Sequence, residues 1–79
     1  MTEAQYQAKL IKQYEEQGWY VIKIISCNKN GLPDLLCLKP NETLFIEVKG
    51  PKGKLSKLQE YRINEIRTKG FRCEVAVAL

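Results

Sequence analysis

Asp34-Leu35-Leu36-Cys37-Leu38-Lys39-Pro40-Asn41-Glu42-Thr43-Leu44-Phe45-Ile46-Glu47-Val48-Lys49 is two apolar runs joined by a turn dipeptide. Proline presets φ and asparagine tolerates the left-handed region, so Pro40-Asn41 predicts a reversal and the runs 34–38 and 43–49 read as a hairpin. A turn centred there pairs residues whose numbers add to 81, which sets Asp34 opposite Glu47. Opposed residues project to the same face with Cβ atoms ~4.5–5.5 Å apart, and two carboxylates at that spacing repel unless a cation sits between them. A hard divalent ion suits such a pair, because Mg²⁺ usually takes one or two carboxylates together with water and phosphate oxygens. A register slip of one residue would send the two acids to opposite faces.

Lys49 lies two residues beyond Glu47, so the pleat aims both side chains the same way. An ammonium there can orient or help deprotonate an attacking water and can offset charge building on a phosphoryl oxygen. Val48, between them, points inward and can offer its backbone carbonyl to the ion. Taken singly, Asp34 is a turn residue and Glu47 and Lys49 are a solvated stripe; the face-to-face register is what favours a site. Pro33 fixes the entry to Asp34, and Gly31 permits a close backbone approach near substrate.

The flanking segments supply the scaffold. Thr2 and Gln5 have capping-box spacing, Leu10, Ile11 and Tyr14 recur at helical spacing, and Gly18 stops the run, so a helix is predicted over 3–17. Residues 19–25 are β-branched and aromatic and lead into a polar loop over 26–31, giving a first strand. Gly50-Pro51-Lys52-Gly53-Lys54 predicts an exposed basic loop. Ser56 is placed to cap a helix running to residue 68, Gly70 follows it, and 71–78 form a last strand. The order αβββαβ describes an α/β fold, a mostly antiparallel mixed sheet flanked by helices, in a single domain over 1–79.

Two polar residues fall on stripes expected to face the sheet. Glu3 shares a helical face with residues 7, 10, 11 and 14, where it would either hold a metal-bound water or simply complement a helix N-terminus. Gln59 lies among Leu55, Leu58, Ile63 and Ile66; it either completes a capping box with Ser56 or reaches out to hold Lys49 or a phosphate. Arg62, at the edge of that stripe, is given no catalytic role. Lys29, Lys52, Lys54 and Lys57 flank the carboxylate pair, where they can grip phosphates without reading bases or stand as solvated surface charges.

Composition narrows the chemistry. Thirteen Lys and Arg against nine Asp and Glu give a net charge of +4, suited to a polyanion yet ordinary in itself. The absence of histidine removes imidazole bases and ligands, and three widely spaced cysteines fit neither a disulfide framework nor a zinc site, which predicts an intracellular, cytoplasmic setting. No apolar run approaches the ~20 residues needed to span a bilayer, and no secretory leader is present, so no membrane partner is expected.

Gly31-Leu32-Pro33-Asp34, then Phe45-Ile46-Glu47-Val48-Lys49, then Ser56-Lys57-Leu58-Gln59 resemble the PD-(D/E)XK nuclease superfamily, most closely its virus-type replication-repair nuclease (VRR-NUC) domains. The resemblance runs from the helix bearing Glu3 to the last strand. It implies a restriction-endonuclease-like core in which Asp34 and Glu47 bind Mg²⁺ or Mn²⁺ with the Val48 carbonyl, Lys49 is catalytic, and Glu3 and Gln59 belong to the active site. It also implies the substrate and assembly of stand-alone viral and bacterial members: a homodimer cutting branched DNA such as Holliday junctions. The same chemistry on flaps, forks or single strands, and a non-catalytic nucleic-acid-binding subunit, are the alternatives. No small-molecule cofactor is expected.

Overall fold

Asn41 adopts a φ of +63°, closing the turn after Pro40. The strands on either side, β2 (Leu35–Lys39) and β3 (Glu42–Lys49), pair antiparallel from Lys39 opposite Glu42 to Leu35 opposite Ile46, the register expected from the turn. The computed structural model describes residues 1–79. It adds α1 (Glu3–Glu16), β1 (Tyr20–Lys23), α2 (Lys57–Thr68) and β4 (Arg72–Val77), giving the predicted order αβββαβ. The sheet order is β1-β2-β3-β4, with β4 parallel to β3 and the other pairs antiparallel. A parallel neighbour requires a crossover, which α2 supplies.

Alternation along β2 and β3 divides the sheet into two faces. Leu35, Cys37, Leu44, Ile46 and Val48 are almost fully buried and form the main core with Leu10 of α1 and Trp19, while Tyr6, Ile11 and Tyr14 pack around them. Tyr14 meets Trp19 edge-on with ring centroids 6.3 Å apart, and the Lys39 ammonium covers the indole at 4.7 Å. The three cysteines are free thiols; burial raises the pKa of Cys37 and Cys73, which pack as small apolar groups. The second face carries Phe45, Glu47 and Lys49, and α2 lies over its β4 side, burying Ile63 and Cys73.

Both helices start with a complete capping box, Thr2 with Gln5 and Ser56 with Gln59. β1 is shorter than the expected 19–25, because Trp19 turns into the core and regular pairing ends at Lys23 opposite Leu35. The Ile24 N–H nevertheless donates to the Asp34 carbonyl at 2.8 Å, so the chain leaves the sheet beside Asp34. No helix is long and apolar enough to cross a membrane.

Leu58 departs from the inward stripe expected of α2. It is 43% exposed and directed at the loop between β1 and β2. Gly31 of that loop has a φ of +80°, and a Cβ built on it would stand 2.7 Å from Leu58 Cγ. The close approach that Gly31 permits within the protein is to Leu58. Gly31→Ala is expected to cost about 2–3 kcal/mol, combining left-handed strain with the steric conflict. Urea unfolding measures it, and a loss under about 0.5 kcal/mol, the level of an ordinary surface change, would show that the loop relaxes freely.

Candidate active site

The β2–β3 ladder stops one pair short of Asp34 and Glu47. Pro33, buried at the next position and facing Val48 by the same register, has no N–H to give. Instead, Asp34 Oδ2 accepts the Val48 N–H at 2.8 Å, which fixes the Asp34 side chain against β3 and leaves Oδ1 for another partner. This local chemistry follows from the Pro-Asp order: the proline has no donor for the Val48 carbonyl facing it, so the ladder ends, and the Asp34 side chain takes the Val48 N–H.

Glu47 sits in the middle of the second face, only 2% exposed. Its Oε2 receives the Lys49 ammonium at 3.5 Å and the Gln59 Nε2 donor at 3.4 Å. Its Oε1 is buried with no hydrogen-bond partner. Burial pushes the Glu47 carboxyl up from 4.5 to about 7; the negative charge of Asp34 adds to the rise and Lys49 opposes it. Asp34 is therefore close enough for its charge to raise the Glu47 carboxyl, on the face where the register places them.

Gln59 performs both tasks that its sequence position left open. Its Oε1 accepts the Ser56 N–H at 3.0 Å and its own N–H donates to Ser56 Oγ at 3.1 Å, completing the cap. The cap orients the amide so that Nε2 reaches Glu47, rather than Lys49 or open solvent. Ser56→Ala and Gln59→Ala are each expected to lower stability by about 1 kcal/mol through the cap. Only Gln59→Ala is expected to slow cleavage, by roughly tenfold, through loss of a hydrogen bond to the Glu47 carboxylate worth about 1.5 kcal/mol. Equal cleavage by the two variants would reduce Gln59 to a cap.

Glu3 is exposed at the start of α1, not pressed against the sheet; its Oε1 accepts the Gly50 N–H at 3.3 Å, one residue beyond Lys49. That contact ties the helix start to the end of the strand carrying the acid and the amine. Lys29, Lys52, Lys54 and Lys57 are all exposed. Lys52 and Lys54 follow Lys49 in the predicted basic loop, Lys57 opens α2 two residues before Gln59, and Lys29 lies in the loop leading to Asp34.

Two residues that the sequence left without a site role help to shape this region. Arg62 Nε donates to the Asn30 carbonyl at 2.8 Å and its guanidinium pairs with Glu65 at 2.8 Å, so it fastens the loop leading to Asp34 onto the helix that carries Gln59. Gly53 turns back on Gly50 and brings its backbone so close to Lys49 that a Cβ there would lie 3.2 Å from the lysine stem. The glycine in a lysine-rich loop was a visible signal; the Arg62 contact spans 32 positions and left none.

The donor set can be tested against a hard divalent ion. Two carboxylates face one another, one with an oxygen buried and unpartnered, and no third acid or histidine joins them. A buried acceptor without a donor is costly, and a cation coordinated by few protein oxygens satisfies it, so the residues fit.

Comparisons with known proteins agree with this architecture. The VRR-NUC domain profile matches residues 20–78. A solved VRR-NUC domain superposes with a TM-score of 0.83 at 26% identity, covering 99% of this chain and 86% of the other. Hjc, a Holliday junction resolvase from the archaeal hyperthermophile Archaeoglobus fulgidus, shares the fold with a TM-score of 0.75 at 22% identity, covering 96% of this chain and 68% of that one. No curated protein sequence matches the chain. With the profile spanning β1 through β4, the chain belongs to the VRR-NUC domain family and has the fold of a PD-(D/E)XK nuclease.

Proposed function

We propose that this nuclease domain is a divalent-metal-dependent DNA endonuclease that acts as a homodimer on branched DNA such as a Holliday junction. The observation that carries the metal-dependent chemistry is the unpartnered, buried Oε1 of Glu47 beside Asp34, with the Lys49 ammonium on the same carboxylate. Pure binding gains nothing from a buried carboxylate held in a costly ionic state, so a non-catalytic subunit accounts less well for it.

Asp34, Glu47 and the Val48 carbonyl would hold Mg²⁺ or Mn²⁺, which supplies Lewis acidity and a lowered pKa for a bound water. Glu3 stands near enough to the strand end to orient a water there. Lys49 places its N–H groups toward the scissile phosphate, steadying the attacking water and offsetting charge on the phosphoryl oxygens. Gln59 keeps Glu47 turned toward Asp34. Lys29, Lys52, Lys54 and Lys57 grip the backbone through phosphates, which favours an activity independent of base sequence. Hydrolysis forms a bond from water oxygen to phosphorus and breaks one P–O bond to a sugar, leaving a phosphate monoester end and a hydroxyl end.

The dimer is supported by the half of the second face that α2 leaves uncovered. Tyr20 and Ile22 of β1 are exposed there beside the half-buried Leu36 and Leu38, an apolar strip that a second copy would cover. A symmetric pair presents two sites, matching the symmetry of a four-way junction.

The test is cleavage of labelled four-way junction, flap, fork, duplex and single-stranded DNA in Mg²⁺ or Mn²⁺, with solution mass measured alongside. Junction cutting by a dimer is expected. Cutting restricted to flaps, forks or single strands would reassign the substrate, and no cutting of any of them would overturn the enzymatic reading.

A further inference from the structure

The loop between β1 and β2 does more than deliver Asp34. Residues 24–32 surround a shallow depression of about 210 Å³, lined by Ile24, Ile25, Cys27, Lys29, Asn30 and Gly31 among others, and its wall is almost wholly polar. On its rim stands Ile25, 83% exposed, in a loop otherwise built of Ser26, Cys27, Asn28, Lys29 and Asn30.

This loop is held at several points. The Ile24 N–H donates to the Asp34 carbonyl, so one residue separates Ile25 from the backbone of the site. Arg62 holds the Asn30 carbonyl, Leu58 fills the space above Gly31, and Cys27 Sγ donates to the Lys29 carbonyl at 3.0 Å. A depression with hydrogen-bonding walls, an apolar rim and anchored backbone is preformed for a ligand with a polar edge and an apolar face.

We infer that this depression seats one unpaired nucleobase of the strand being cut, its edge hydrogen-bonded to the loop and its face against Ile25. The inference rests on the nuclease reading above and deepens it: the arms of a four-way junction are paired throughout, so the seated base is one that loses its partner where the branch point opens, which continuous duplex does not offer. Charge complementarity favours nucleic acid, since Lys29 borders the depression and Lys52, Lys54 and Lys57 continue the basic surface beyond the site. A base fits better than a phosphate, because Lys29 is the single unneutralised cation at the depression; Arg62 nearby is paired with Glu65. Unpaired bases expose a face and a hydrogen-bonding edge, whereas a duplex hides both, so a single seat beside the cut rewards branch points and single strands.

The experiment measures binding with the Lys49→Ala protein, which is expected to bind without cutting, and cleavage with the protein carrying Lys49. Both use branched DNA in which residues at and beside the branch point are replaced, one at a time, by abasic residues that keep the phosphates. At one position, base removal is expected to weaken binding by roughly tenfold. Ile25→Ala is expected to cause a similar loss on intact branched DNA, to show no further loss with the abasic strand, and to leave duplex binding unchanged; Ile25→Leu is expected to restore affinity. Lys29→Ala is expected to weaken every substrate and lower the salt slope by about one, whereas Ile25→Ala leaves that slope alone. Equal losses by Ile25→Ala on duplex and branched DNA, or no abasic-sensitive position, would overturn the seat while leaving the nuclease intact. Failure of the protein carrying Lys49 to cut any substrate would remove the nuclease reading itself, and the seat with it.

Discussion

Glu47→Gln is expected to abolish cleavage, by roughly 10³-fold or more, and to make the metal-free protein more stable at neutral pH. The first effect follows from replacing an anionic oxygen donor with an amide. The second follows from burial. Glu47 titrates at about 7 in the fold against an ordinary value of 4.5, so the folded protein holds its proton more tightly than the unfolded chain does. Below pH 4.5 both states are protonated and there is no penalty. As pH rises through the interval up to about 7, the unfolded chain releases the proton first and stability falls. Above it the full penalty remains, about 3 kcal/mol at 1.36 kcal/mol for each pKa unit.

Urea unfolding in a chelator is therefore expected to show the native chain losing stability between pH 5 and pH 8, a loss that Glu47→Gln does not share. Addition of Mg²⁺ or Mn²⁺ at about a hundred times its dissociation constant should return some 2.7 kcal/mol to the native chain and little to the variant. A Glu47→Gln protein that is no more stable at pH 8, or that keeps the metal-induced gain, would show that this carboxylate neither bears the burial cost nor holds the ion.

Lys49→Ala is expected to lower single-turnover cleavage by about 10²–10⁴-fold with DNA affinity changed only slightly. The metal-induced gain in stability should survive, because the amine is not a ligand. The Lys49 side chain is only 12% exposed, and its ammonium stands 3.5 Å from Glu47, with Gly53 closing against its stem. Its position is set from two sides. Lys49→Arg is expected to restore little, since a planar guanidinium does not fit the space of a compact ammonium and does not give up a proton. A loss of less than tenfold would leave Lys49 as a charge partner of Glu47 and nothing more.

Much of this site was readable because a two-residue turn governs it. Once Pro40 and Asn41 are taken as the reversal, the pairing of every residue from 35 to 46 follows, and with it the common face of Asp34 and Glu47. The caps of both helices were equally visible, since Thr2 with Gln5 and Ser56 with Gln59 are local chemistry. Local spacing could not choose between the two roles of Gln59, because a cap uses one end of the amide and leaves the other free for a distant partner. Glu3 was placed on the correct helix but not on its actual neighbour, since helical periodicity gives a face and not the backbone that the face meets. The grip of Arg62 on Asn30, and of Arg67 on the Cys73 carbonyl at 2.7 Å, arises where a long side chain finds a main-chain acceptor. Such bonds carry no pairing signal, because any residue offers the same carbonyl.

The Val48 amide proton, which points at a carboxylate oxygen instead of a neighbouring strand, gives this protein a built-in reporter. Any change in the charge carried by Asp34 is felt along a single 2.8 Å bond by one main-chain nucleus. Its resonance would follow occupancy of the neighbouring acids directly, making the titration of this centre observable without a dye, a label or a substrate.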